Sequence, residues 1–134
     1  MIASLALQQA IVAALANDAA LAARMRGVFD QPPPGAELPY LTVGPDITTD
    51  WSTKTGAGRE HRLRVTVWEA PHAIRRCAEA MGRIEAVMAG LGPELVGHRL
   101  VQLRFLRSVI DHGTGAPADP VRGVVEFRAR TQAL

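Results

Sequence analysis

What this 134-residue chain has little of removes several classes of function. Lys54 is its sole lysine, so the basic side is almost all arginine. The formal net charge is +2, although the pI is about 9.3. That excess is too small to argue for nucleic-acid binding by itself. A preference for arginine over lysine is also what a GC-rich coding sequence favours. Cys77 is the sole cysteine, which excludes an intrachain disulfide and any multi-cysteine metal site. This fits folding in a reducing compartment. No apolar run approaches the roughly 20 residues that a spanning helix needs. Met1 to Ala16 is apolar, yet it lacks a positive leading region and is interrupted by Gln8-Gln9, so it reads as an amphipathic helix rather than a signal peptide. Internal repeats and low-complexity segments are absent.

Motifs that carry chemistry are equally scarce. The four histidines, at 61, 72, 98 and 112, include no pair at helical spacing, and surface or edge positions account for them. Glu69-Ala-Pro-His72 has the letters of a metal-ligand pair, but it straddles a change of periodicity, so its side chains share no helical face. Gly56-Ala-Gly58 lacks the Gly-Lys-Ser/Thr ending of a phosphate loop. No nucleophile elbow occurs, and no local signature pairs a nucleophile with a base.

What the chain does have is centred on His61 to Arg83. Leu63, Val65 and Val67 alternate with Arg62, Arg64, Thr66 and Trp68, a period of two that predicts a half-buried strand. After Pro71, placed in the first turn of a helix, the apolar residues Ile74, Cys77, Ala78, Met81, Ile84, Met88 and Leu91 fall at helical spacing. Cys77 belongs to that stripe and reads as a small buried residue. A strand feeding an amphipathic helix predicts a two-layer core. Apolar residues make up 48% of the chain, enough for one domain, 1–134, to bury roughly two thirds of its unfolded surface.

The remaining elements follow in order. Ser4 is placed to cap a helix to Ala16, and Asp18 a short helix over 19–25. Val28-Phe29-Asp30 is a short strand, and Gln31 to Pro39 a proline-stiffened loop. Tyr40 to Gly44 is a strand. Pro45 to Glu60 lacks a clear period and reads as a long loop around Trp51. Glu94 to His98 is a link. Leu100 to Ile110 is a long strand with Val101, Leu103, Phe105 and Val109 on one face and Gln102, Arg104 and Leu106 on the other; Arg107 breaks the alternation and predicts a bend. Val121, Gly123, Val125, Phe127 and Ala129 face inward along the last strand, which pairs antiparallel with its predecessor. The expected fold class is α+β: an antiparallel sheet of about four to five strands, with two main helices packed on one face and the other face open.

That open face holds the candidate site. Arg62, Arg64, Arg104, Arg122, Arg128 and Arg130 project from it, joined by Trp68, Leu106 and Val124. Glu60, Glu69 and Glu126 are available as partners, and surface pairs of this kind contribute about 0–1 kcal/mol each. Such a face either is solvated, meets another protein, or offers sequence-independent contacts to DNA phosphates. The mixture of arginine, tryptophan and aliphatic side chains is closer to a protein interface. Trp51 either tucks back on the core or anchors a partner, and Lys54 lies beside it.

The order and spacing of several stretches carry a resemblance. They are Leu15-Ala-Asn-Asp-Ala-Ala-Leu21, Gly27-Val-Phe-Asp30, the proline loop, Leu38-Pro-Tyr-Leu-Thr-Val-Gly44, Asp50-Trp-Ser-Thr-Lys-Thr55, Glu60 to Trp68 and Gly123 to Arg130. From about Leu5 to Leu134 the chain resembles the tail-completion, or tail-terminator, family of long-tailed phages, and its composition suits the version from a phage-like gene transfer agent. The resemblance implies a structural protein with no catalytic residue, metal or cofactor. It implies a ring, six-fold to match the tube, that caps the head-proximal end of a tail tube, ends its growth and joins the tail to the head. Its partners would be further copies of itself, the tail-tube protein and the head-to-tail connector (stopper), with DNA only in passage and no membrane. Assembly in the bacterial cytoplasm into a phage-like particle follows from the same resemblance. The alternatives are a head-side stopper or adaptor, or a small α+β binding module or enzyme of unknown ligand, for which a pocket with convergent polar groups is expected.

Overall fold

A computed structural model describes all 134 residues. Helices α1 (Ala3–Ala16) and α2 (Ala19–Arg24) are followed by strands β1 (Val28–Phe29), β2 (Tyr40–Asp50) and β3 (Gly58–Glu69). Helix α3 (Ile74–Ala89) and strands β4 (Glu94–Leu95), β5 (His98–Asp111) and β6 (Val121–Ala133) complete the chain. The sheet has six strands in the order β1-β2-β3-β6-β5-β4. β1 pairs parallel with β2, and every other neighbouring pair is antiparallel. The α+β class is therefore right, but the sheet is mixed and larger than four to five strands. β1 falls within the short strand expected at Val28 to Asp30, and the unexpected member is β4, two residues at the other margin in what reads as a link, too short to leave a periodic signal.

Both main helices cover one face. Leu7, Ile11 and Leu15 of α1 lie four residues apart, one above the other on one side of the helix, and all are buried. In α3, Cys77, Met81, Ile84 and Met88, three or four residues apart, form a similar buried stripe. Ala80 completes that stripe in place of Ala78, and Ile74 is left 44% exposed. The inward residues of the sheet, Leu41, Val43, Leu63, Val65, Val67, Val121, Val125, Phe127 and Ala129, join these side chains in one cluster of 21 buried residues. Asp18 accepts a hydrogen bond from the N–H of Leu21, capping α2. Arg83 of α3 grips both oxygens of the same carboxylate at 2.9 and 2.6 Å. A local cap thereby also ties α2 to α3.

Several local expectations are corrected. Ser4 lies inside α1, whose N-cap is Ile2 without a side-chain bond. Pro71 lies in the turn before α3, whose N-cap is Ala73; His72 takes φ 69° there, outside the helix. The stretch from Pro45 to Glu60 is mostly strand. β2 runs on to Asp50 and β3 begins at Gly58, so only a short turn separates them. A shift in register between Val43 and Asp46, with Gly44 at φ +118°, interrupts the alternation and hides the second half of β2.

β5 contains two such shifts, between Leu100 and Gln102 and between Phe105 and Arg107. The second lies at the expected bend. An extra residue swaps the faces beyond it, so Val109 stands opposite outward Val124 and Ile110 opposite inward Gly123. Val101 is 44% exposed, and Leu100 takes the buried position instead.

Candidate assembly interface

The outer sheet face is built from rows that cross β2, β3, β6 and β5. At one end Tyr40, Trp68, Arg122 and Asp111 stand side by side. Trp68 Nε1 donates to Thr42 Oγ1 at 3.0 Å, the Arg122 guanidinium lies 6.0 Å from the indole, and Arg122 pairs with Asp111 at 2.6 Å. Trp68 and Arg122 are thus satisfied within the chain. That guanidinium, with the N–H of Gly113, holds the Asp111 carboxyl below its ordinary value.

Further along, Ile47, Arg62, Arg128 and Arg104 occupy one row. Like charges placed directly opposite destabilise a sheet. Part of the strain is relieved locally: Gln102 accepts from Arg128 at 3.2 Å, and Glu60 accepts from Arg130 Nε at 3.1 Å while lying 3.9 Å from Arg128 Nε. Arg128 Nε is buried without a hydrogen-bond partner. Arg107 forks onto Glu126 at 2.8 and 3.3 Å. That pair, with the nearby charges of Arg64 and Arg62, holds Glu126 below its ordinary value. Arg62, Arg64 and Arg104 are exposed and hold no carboxylate in an ion pair. Arg62 and Arg64, with Ile47, Leu106 and Glu126, line a shallow depression of about 240 Å³.

Three expected members sit differently. Glu69 points inward and is buried, with one oxygen on the N–H of Ala70, so it partners none of these arginines. Trp51 belongs to the β2–β3 turn: its N–H donates to Gly58 O at 2.9 Å, and the Arg130 guanidinium covers its ring at 5.0 Å. Lys54 is exposed at the tip of that turn, away from the arginine rows. The structure therefore gathers Arg62, Arg64, Arg104, Leu106, Arg128 and Arg130 into one surface. It places Trp68 and Arg122 at one end of that surface, and Trp51 beneath Arg130.

One polar cluster escaped the linear reading. His61 is wholly buried, not at the surface. Its Nδ1 faces Asp46 Oδ2 at 3.1 Å and Thr48 Oγ1 at 3.3 Å, and its Nε2 faces Thr131 Oγ1 at 2.9 Å. Hydroxyl, imidazole and carboxylate stand in the order used by hydrolases. However, Thr131 is only 1% exposed, so its hydroxyl is not presented to a substrate. The cluster works as a cross-strand clasp. Its signal was parity, since His61 continues the inward series of Leu63, Val65 and Val67, and Thr131 that of Phe127 and Ala129. Of the other histidines, His98 bonds the Met1 carbonyl at 2.9 Å. No group of three or more potential ligands is placed to hold a metal ion. No helix is long and apolar enough to cross a membrane.

The fold is thus an α+β domain whose helices back a sheet with an open, arginine-bearing outer face. The model of the family described as "Tail completion protein gp17" matches residues 9–132, and the chain belongs to that family. It is a family of structural phage-tail proteins, not of enzymes. The chain is also similar to a solved chain from the "Virion of native gene transfer agent (GTA) particle", with 33% identity, 97% of each chain covered and a TM-score of 0.86. No curated protein matches significantly.

Proposed function

We propose that the chain, as one tail-completion domain over 1–134, caps the head-proximal end of a tail tube as a closed ring. There it ends tube growth and joins the tail to the head connector while DNA passes through the lumen. It would assemble in the bacterial cytoplasm and become part of a phage-like particle of the gene-transfer-agent kind. Its partners are further copies of itself, the tail-tube protein and the stopper. The observation that carries this reading, beside family membership, is the group Arg62, Arg64 and Arg104: exposed, on one face around Arg128, and without an ion pair in their own chain. A heterologous ring repeats one contact around an axis and buries each patch against its complement. Arginine suits such a surface because its planar fork binds carboxylates in two places. The low net charge fits a lumen through which DNA slides without being held.

The test is to add the purified protein to its own tail-tube subunit during polymerisation and image the products by electron microscopy. Tubes that carry a ring at one end and stop growing are the expected result, and six-fold symmetry can be counted in the same images. A protein that ignores tubes but binds the portal-side connector is a stopper or adaptor instead.

A further inference from the structure

The two free edges of the sheet suggest how copies meet. β4 pairs with β5 only at His98 and Arg99, and the Leu100 N–H donates to the Pro93 carbonyl at 2.7 Å, so the strand edge from Val101 to Asp111 has no neighbouring strand. β1 covers β2 only at Leu41 and Thr42, leaving the stretch from Pro45 to Asp50 open. Natural proteins seldom leave so long an edge bare, because unpaired N–H and C=O groups recruit other chains. The β5 edge is also apolar: Phe105, Leu106, Val109 and Ile110 are each at least 36% exposed. Ile47 on the β2 edge is 66% exposed.

We infer that the free stretch of β5 in one copy pairs antiparallel with the free stretch of β2 in the next, making the sheet continuous around the ring. This rests on the ring reading above. Strand direction supports it. Three antiparallel steps separate β2 from β5, so the two run in opposite senses. Rotation about an axis along the strands preserves those senses and brings β5 antiparallel to the neighbour's β2. Charge supports it at one position: the free stretch of β5 carries Arg104, which has no ion pair in its own chain, and that of β2 carries exposed Asp50, paired only with the exposed Arg59. Arg107 and Asp46 are already taken up by Glu126 and His61. The pairing would set Arg104 and Leu106 of one copy beside Ile47 and Arg62 of the next, so the seam draws on the outer face already described.

Cysteine cross-linking tests the register. In a Cys77→Ala background, Ile47→Cys is combined in turn with Gln102→Cys, Arg104→Cys, Leu106→Cys or Val109→Cys. Each protein is assembled on tail tubes, oxidised and run without reductant. The expected result is a ladder of covalent multimers for one or two neighbouring β5 positions, with single-cysteine variants staying monomeric. Rings that form on tubes without a cross-link at any position overturn the edge pairing and leave the ring standing. A natural chain that forms no ring overturns both. Hydrogen exchange on the natural chain gives a check free of substitutions: amides of 101–111 and 46–50 should gain protection on assembly, and unchanged exchange there overturns the inference.

Discussion

Gly123 of β6 lies directly against Cys77 and Met81 of α3. A Cβ built on Gly123 would stand 2.5 Å from the Met81 sulfur and 2.6 Å from Cys77 Sγ. Glycine is therefore what lets the helix settle on the middle of the sheet. Gly123→Ala forces α3 outward or displaces both sulfurs, and overpacking of this kind costs about 1–3 kcal/mol. Urea unfolding should show a lowered midpoint with an unchanged slope.

Cys77 should be chemically silent. Burial, with the negative charges of Glu69 and Asp111 behind it, pushes the thiol up to about 11. The thiolate is the reactive form. A thiol reagent at pH 8 should label the folded chain only at the rate of unfolding and label it at once in denaturant. Rapid labelling of the native chain would contradict the packing of α3 on β6.

The clasp around His61 should matter to stability. Thr131→Val keeps the shape but removes the hydroxyl at His61 Nε2, leaving a buried ring nitrogen unpaired. The expected loss is about 1–3 kcal/mol. His61→Leu also strips a partner from Asp46 and should destabilise more. Thermal melts of the two variants check the order.

Asp18 introduces a pH dependence. The Arg83 guanidinium holds its carboxyl below the ordinary value of 3.8. The folded chain therefore takes up that proton less readily than the unfolded chain. The stabilisation is fully present above about pH 4 and is lost as the pH falls through the lower folded-state value. Asp18→Asn retains a capping side chain but removes the charge. Its melting temperature should fall below that of the natural chain at pH 6, with the gap closing toward pH 2.

Charge reversal tests the outer face. Arg64→Glu is exposed and breaks no ion pair of its own chain. Joined with Arg104→Glu, likewise exposed and in no ion pair of its own chain, it should reduce ring formation on tubes at least tenfold while the circular dichroism of the monomer stays native. Full assembly of the double variant would remove that face from the interface.

Much of this architecture could be read from local pattern. The alternation from Val121 to Ala129, the helical stripe of α3 and the cap at Asp18 need only neighbours a few residues apart. The arginines of the outer face followed from the same alternation. Elsewhere the pattern misled for identifiable reasons. Gly44 and Pro45 shift the register of β2, after which the mostly polar stretch Asp46 to Asp50, with Ile47 its one apolar residue, looks like loop. Extra residues in β5 moved Val101 and Val109 away from their expected face. β4 is too short to show any period.

The sequence by itself determined the class of fold, the inward faces of β3, β6 and α3, and the family to which the chain belongs. These depend on periodicity and on ordered local stretches. Tertiary structure alone decided the strand order, the parallel pairing of β1, the two bare edges and the union of His61 with Thr131 across 70 residues of chain. Those outcomes depend on which distant strands pair and in what register. Loop closure and cross-strand packing settle that choice, and no short stretch of sequence contains it.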